Sequence, residues 1–433
     1  MKGRVFVAAL QRMVTVKSRA QVVTLVTLAL VALLGICALA VDVGELWTTQ
    51  RLMQTAADAG ALAGVDAITI GQTSSSEITA AAQAATAQNG FTNDSGTTVN
   101  SNTVTVAVAN PPTTGPYAFN INAVQVTVAQ NQPTYFMRVL GWRQVPVSTE
   151  AVALTVSGGS CVYALNPSAS GAIDVSGGGV LNSNCGIYDN SNSGSALVVG
   201  GTSTLTAPLV GVVGGTNING GGSSPPSSGI ASFGDPLAWV PEPTGYGSCT
   251  SYATQNISTS TTLSPGLYCG GLKFNGTANV TLNPGTYIID GGGLTAVAGS
   301  VVSGSGVTFY LTGANVDNSS PSSYGGVNIA GGTTVNLSAP CSSANGGIEG
   351  MLFFQDRSIT NGVGSVINGG SNSTFTGALY FPTTSLTYNG SSGADQYTYL
   401  VADTLTVNGS TYINNDYACL AGGSLIKDAS LVE

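Results

Sequence analysis

The side chains with the most obvious capacity for chemistry are acidic. Asp174, Asp189, Asp290, Asp317, Asp356, Asp395, Asp403 and Asp416 are scattered through the C-terminal part of the chain, mostly beside Gly, Asn or Ser. Two such carboxylates on one face could act as general acid and nucleophile in glycoside cleavage. Short acids next to turn residues more simply cap those turns, accepting from nearby backbone N–H groups. A polysaccharide-cleaving site would also want clustered cations, and after Arg143 there are just Lys273, Arg357 and Lys427. Asp290-Gly291-Gly292-Gly293 could offer Ca2+ a carboxylate and carbonyls, but no EF-hand or nonapeptide calcium repeat surrounds it. The run GGTNINGGG lacks a phosphate-loop Lys and follows no βαβ pattern. The chain has no His, which removes imidazole ligands and His-based triads. The expectation is a protein without catalytic residues, metal or small-molecule cofactor.

The cysteines read differently. Cys37 sits in an apolar run, where a thiol packs as a small hydrophobe. Cys161, Cys185, Cys249, Cys269, Cys341 and Cys419 form an even set suited to disulfides in an oxidising compartment. Fifteen connectivities are possible; the neighbour pairs 161–185, 249–269 and 341–419 are the choice made here, with free buried thiols as the alternative.

These residues hang on a chain with a polarised start. Val22–Val41 is twenty residues without a charge, and a helix of that length matches a hydrocarbon core of about 30 Å. Val22, Leu30 and Val41 mark its ends and middle. Lys2, Arg4, Arg12, Lys17 and Arg19 precede it with no acid among them, so the N-terminus should stay cytoplasmic and the bulk should face outward. Ala38-Leu39-Ala40 resembles a small-x-small cleavage site, but the run is longer than a signal-peptide core and the helical pattern continues through it, which favours a retained anchor. Beyond residue 41 there are six Lys and Arg against twenty Asp and Glu, a balance that argues against nucleic-acid binding.

The organisation expected is a basic cytoplasmic segment (1–19), a transmembrane helix (20–41), a helical stalk (42–68), an α+β module (69–157) and a Gly/Asn/Ser-rich all-β domain (158–433). Trp47 falls about one turn beyond the membrane edge, where indoles prefer to sit. Ala56, Gly60 and Gly64 make a small-residue stripe at i, i+4, i+8, suited to close packing against the protein's own next domain or against a partner helix. Ser74-x-x-Glu77 reads as a capping box opening an Ala-rich helix to Gln88, stopped at Asn89-Gly90. Strands are expected at Thr103–Ala109, Asn122–Ala129 and Gln144–Val156. Pro133–Leu140 has a helical look, and Phe136, Met137, Leu140 and Trp142 read as core.

From about Ser157 short strands alternate with Gly/Asn turns. Leu263-Ser264-Pro265-Gly266-Leu267-Tyr268 returns as Leu282-Asn283-Pro284-Gly285-Thr286-Tyr287, nineteen residues later. A period near twenty suggests coils of a parallel β-helix, with a β-sandwich as the competitor. Residues 214–243 interrupt the pattern as a loop in which Trp239 is a local packing anchor. Tyr388, Tyr397 and Tyr399 could form an exposed row that stacks on sugars.

The stretch Gln21–Ile68 resembles the N-terminal region of Tad-like Flp pilus-assembly proteins, the TadE/G-like group. The residues that carry this are Gln21, Ala40-Val41-Asp42-Val43-Gly44, and Arg51-Leu52-x-Gln54-x-Ala56-Ala57-Asp58-Ala59 through Gly64. FMRVLGW followed by a Val-rich strand is similar to the family's second segment, and the Gly-rich remainder to the variable C-terminal regions of TadG-type members. The resemblance implies an envelope protein of the bacterial inner membrane, single-pass and periplasmic in bulk, with other Tad/Flp pilus-assembly proteins as partners. Prepilin-type processing needs Gly before the apolar run and Glu five residues into it. Here Ala20 precedes the run and the first acid after it is Asp42, so permanent anchorage is expected.

Overall fold

The structure, a computed structural model, describes residues 3–72, 74–94, 103–313, 324–360, 362–368, 373–389, 398–414, 419–420 and 423–432, with side chains from Val22 on. Its contacts divide it into two units, Met1–Thr155 with Ala429–Glu433, and Val156–Asp428.

The first unit is built on one long helix, α1 (Gly3–Thr69). Its apolar part, with a mean hydropathy of 2.8 over the richest window, is not buried by the protein. The following turns are: Met53, Ala56, Ala57, Ala61 and Val65 pack on Ile78 and Ala82 of α2 (Ser75–Gln88) and on a sheet. That sheet orders β1 (Val104–Ala109), β2 (Ala123–Pro133) and β3 (Gln144–Ser157), with the C-terminal strand Lys427–Leu431 beside β3. β2 is antiparallel to both its neighbours. Period-two alternation puts Val124, Val126 and Val128 toward the helices. Ser74 makes no side-chain cap to α2 and instead meets the Ser76 hydroxyl at 2.5 Å, so the expected capping box does not form. α2 ends at Asn89 with Gly90 at φ 91°, as a left-handed stop requires. Pro133 ends β2, and the helical look of 133–140 reduces to one 3-10 turn, Met137–Leu140.

Every strand pairing resolved in the second unit is parallel. One ladder of ten strands runs Gln255–Ile257, Leu272–Phe274, Leu294–Ala296, Val327–Ile329, Ser365–Ile367, Leu386–Tyr388, Leu405–Val407, Ile173–Val175, Leu197–Val199, Thr216–Ile218. At about 4.8 Å per strand this ladder is about 43 Å long. A second runs through Gly266–Cys269, Gly285–Asp290, Val307–Thr312, Met351–Gln355, Thr374–Phe381, Thr398–Ala402, Ser160–Ala164, Gly186–Asp189 and Val210–Val212. Shorter ladders form on the remaining side.

The chain order in these ladders is not monotonic. The chain enters in the middle, at Ser160–Ala164 and Ile173–Val175, and climbs to one end at Thr216–Ile218. The next rung begins at Gln255, at the opposite end, and the chain then walks back until Leu405–Val407 pairs with Ile173–Val175. Entry and exit are therefore neighbouring rungs, and the unit is an insertion between β3 and the C-terminal strand. This return of the last strand to the first unit was not expected from the sequence.

Inward side chains of successive rungs stack. Ring centroids lie 5.7 Å apart for Tyr268–Tyr287, 5.3 Å for Tyr287–Phe309 and 5.5 Å for Phe309–Phe353, each pair contributing about 0.5–1.5 kcal/mol beyond its buried area. The sequence echo has a local reason. Tyr268 donates its hydroxyl to the Ser264 carbonyl and Tyr287 to that of Asn283, four residues back in both cases. The buried phenol thus closes the Pro-Gly turn that precedes its strand.

Candidate functional site

Several of the residues singled out at the N-terminus tie the long helix to the rest of the first unit. Asp42, the first acid after the apolar run, is 2% exposed. Its Oδ1 accepts from the backbone N–H of Tyr135 at 2.9 Å, and its Oδ2 from Phe136 at 2.8 Å and Met137 at 2.5 Å. The carboxylate thereby satisfies orphan donors at the start of the 3-10 turn and ties the β2–β3 connection to the helix. Desolvation pushes the Asp42 pKa up, but the Met137, Tyr135 and Phe136 donors outweigh it and hold it below the ordinary aspartate value.

Farther along the helix, the Gln54 side-chain amide donates to Asp58 Oδ1 at 2.8 Å and to the Glu150 carbonyl at 3.1 Å. Asp58 thus orients the residue that clasps β3. Ala56, Gly60 and Gly64 are buried. A Cβ on Gly60 would lie 2.7 Å from Thr86 Cγ2, and one on Gly64 would lie 2.8 Å from Val124 Cγ1. The stripe is covered by the protein's own α2 and β2, which leaves no room there for a partner helix. Gly44 has nothing near its missing Cβ, and nothing in the structure explains that glycine. Val22, Leu30 and Val41 are exposed on the long helix, as is the free Cys37. Gln21 lies within the helix, and its side chain lies outside the described residues.

The β2–β3 connection corrects the sequence expectation. Phe136, Leu140 and Trp142 are 47%, 76% and 62% exposed and Met137 is half-buried; none is core. Apolar composition alone does not separate a segment facing the interior from one facing a different apolar medium. Thr134 and Gly141 were not recognised. The buried Thr134 hydroxyl donates to the Trp142 carbonyl, and Gly141 at φ 97° terminates the 3-10 turn. A Gly eight residues after a strand-ending Pro was the available signal.

A family model described as putative Flp pilus-assembly TadE/G-like matches residues 21–67, and one described as putative Tad-like Flp pilus-assembly matches residues 54–153. Residues 21–153 are a Tad-like Flp pilus-assembly region. No curated protein and no solved structure matches the chain. The Tad-like region covers the long helix from Gln21, α2 and the three-stranded core of the first unit, and it stops where the parallel unit begins.

Beyond the Tad-like region three of the candidate carboxylates, Asp189, Asp356 and Asp403, bind the fold's own donors. Asp189 is fully buried and accepts from the N–H of Ile173 at 3.2 Å and Ser191 at 2.9 Å. Burial pushes its pKa up to about 6 against those two donors. Asp403 accepts from the Asn166 amide at 3.0 Å, across neighbouring rungs. Asp356 accepts from Ser358 N–H at 2.8 Å and from the Thr312 hydroxyl at 2.7 Å. Asp174 is the middle, outward residue of its three-residue strand. Asp290 and Asp356 line one cleft of about 800 Å3 with Glu242, Tyr246, Tyr252 and Tyr310, a convergence that their sequence spacing did not suggest. Asp317, Asp395, Asp416 and Tyr397 lie outside the described residues.

Arg357, one of the three cations after Arg143, holds the 229–243 segment onto the ladders. Its Nη2 donates to the carbonyls of Leu237 at 2.8 Å and Val240 at 3.0 Å, its Nε donates to Tyr380, and it pairs with Glu242 at 3.7 Å. Burial pushes the nearby Asp235 pKa up, a rise that the Tyr380 hydroxyl, the Leu237 N–H and Arg357 partly offset. The expected Tyr row is not at the surface: Tyr388 and Tyr399 are fully buried, the latter meeting Ser424 at 2.7 Å. Disulfides join Cys161 to Cys185, Cys249 to Cys269 and Cys341 to Cys419. Among the described residues no group of His, Cys, Asp and Glu is arranged to hold a metal.

Proposed function

We propose that this protein is a membrane-anchored structural component of the Tad/Flp pilus-assembly apparatus, without enzymatic activity. The observation that carries the reading is the continuous Tad-like match over residues 21–153, whose characteristic Asp42, Gln54, Asp58, Gly60 and Gly64 unite helix and sheet in one joint. The uncharged Val22–Val41 run is the single membrane span. Its five preceding cations keep the N-terminus cytoplasmic, and the acidic bulk stands in the periplasm of the inner membrane. The disulfides suit that oxidising space. The second unit is read as a parallel β-helix that braces or spans part of the periplasm. Its support is the run of parallel pairings, whereas a β-sandwich is built from antiparallel sheets.

Deletion of the gene followed by electron microscopy tests the assignment, with loss of Flp-type pili and of surface attachment expected. Cells that still make normal pili would refute it. Protease digestion of spheroplasts tests the orientation, and a C-terminal half that resists digestion there but not after lysis would overturn it. A second reading, a tethered glycan-binding module, draws on the cleft at Tyr246 and Tyr252 beside Glu242 and Asp290. A glycan array probed with the detergent-solubilised full chain distinguishes it, and absence of binding would retire it.

A further inference from the structure

The β2–β3 connection carries a surface that the packing of the first unit does not explain. Tyr135, Val139, Leu140 and Trp142 are between 61% and 85% exposed. They sit in a segment, 134–143, that has no acid and is punctuated by Arg138 and Arg143. The loop does not project away from the span. Phe136, Met137, Val139 and Leu140 face the helix across a crevice of about 440 Å3, opposite Ala32, Gly35, Ile36 and Leu39. Those helix positions lie inside the uncharged run, from about 3 to about 14 Å before its end at Val41. Whatever medium surrounds the helix there surrounds the loop as well.

Irregular backbone is normally barred from a hydrocarbon medium because its N–H groups would go unpaired. This loop pairs seven of its donors internally. Tyr135, Phe136 and Met137 donate to Asp42. Thr134 donates to the Arg143 carbonyl at 3.1 Å, Val139 to Phe136 at 3.0 Å, Gly141 to Arg138 at 3.1 Å and Trp142 to Met137 at 3.2 Å. Apolar side chains point outward from a backbone most of whose donors are turned inward. The long side chains of Arg138, within the loop, and Arg143, at its end, can reach headgroup phosphates while their stems stay in the apolar layer.

We propose that residues 135–142 insert into the outer leaflet of the membrane beside the anchor, with lipid acyl chains filling the crevice. The protein then holds the bilayer at two points, and Asp42 is the positioning residue that fixes the angle between them. This rests on the reading of Val22–Val41 as a membrane span.

The test uses the full chain in vesicles whose acyl chains carry bromine either near the headgroups or near the bilayer centre. A Trp47→Phe/Trp239→Phe protein leaves Trp142 as the sole indole. Its fluorescence should be quenched about twofold more by shallow than by deep bromine, the behaviour of an interfacial indole. A Trp47→Phe/Trp142→Phe/Trp239→Phe protein carrying Leu30→Trp reports the anchor and should be quenched most by deep bromine. If Leu30→Trp is quenched and Trp142 is not, the loop is held by water or by a protein partner, and the proposal fails while the anchor stands. If neither is quenched, both readings fail. Val139→Asp/Leu140→Asp in the Trp142-only protein should abolish the shallow quenching, and quenching that persists in it overturns the proposal.

Discussion

The two units bury their apolar residues by opposite strategies. In the first, small side chains let a helix approach closely: Gly60 and Gly64 meet Thr86 and Val124 with no space to spare. Met53, Ile78 and Phe91 are buried, but Phe136, Leu140 and Trp142 remain outside. In the second, the large residues go inward. Tyr287, Phe309, Phe353 and Tyr388 are fully buried and stack rung on rung. The first unit therefore keeps apolar surface for something other than itself, and the second puts most of its large aromatic side chains into its own core. That contrast matches the comparisons, which reach the first unit and stop short of the second.

The contrast can be broken from either side, most forcefully in the second unit. Gly293 has φ 70°, and a Cβ there would lie 2.2 Å from the Gly325 carbonyl oxygen. Gly293→Val should cost about 3–5 kcal/mol through left-handed strain and overpacking combined. Hydrogen exchange should then show the parallel unit open while α2 and β2 stay protected; loss of protection in both would mean that the units do not unfold separately. Cys341→Ser/Cys419→Ser removes a cross-link spanning 78 residues and should cost about 4 kcal/mol on loop-closure entropy, read as a lowered denaturant midpoint. In the first unit, Gly64→Leu should cost about 1–3 kcal/mol by forcing Val124 away. A calorimetric scan should show a lowered transition for the helical unit and an unmoved one for the parallel unit, and the reverse pattern would contradict the packing described.

The last effect is a pH dependence. Asp189 has a folded-state pKa raised to about 6 from an ordinary 3.8. The folded state thus binds more protons than the unfolded one between those values, and stability falls as pH rises through that window. Below about pH 4 no cost remains, and above about pH 6 it is complete, amounting to about 2–3 kcal/mol. Asp189→Asn should flatten that part of the stability-versus-pH curve; urea melts at pH 7, 5 and 4 that show an unchanged slope would remove Asp189 as its source.

What the sequence made legible was whatever repeats or is contiguous. The uncharged run, the Ala-rich helix, the strands at 104–109 and 144–157, and the nineteen-residue echo all follow from local period and composition. Leu263 does pair with Leu282. What stayed hidden depends on distant chain segments. Nothing near Ile173 announces that Leu405 is its neighbour, and nothing near Lys427 announces a return to β3. Nothing near Arg357 announces the Leu237 and Val240 carbonyls it binds, more than a hundred residues away. The FMRVLGW segment was misjudged for a different reason: apolar residues bound for a protein interior and apolar residues facing outward spell the same letters. The donors that Asp42 accepts, more than ninety residues distant, are what reveal the loop's true position.

The mid-ladder entry and exit of the parallel unit have a mechanical consequence. A pull transmitted through β3 reaches the inserted unit at Ser160–Ala164, and one through the C-terminal strand reaches it at Ser410–Ile413. The coils these belong to are neighbours, hydrogen-bonded through Thr398–Ala402 to Ser160–Ala164 and through Ser410–Ile413 to Val180–Ser183. The load is shared there as shear between neighbouring strands, away from the rungs at either end of the stack. Those outer rungs can vary in number or sequence without weakening the attachment.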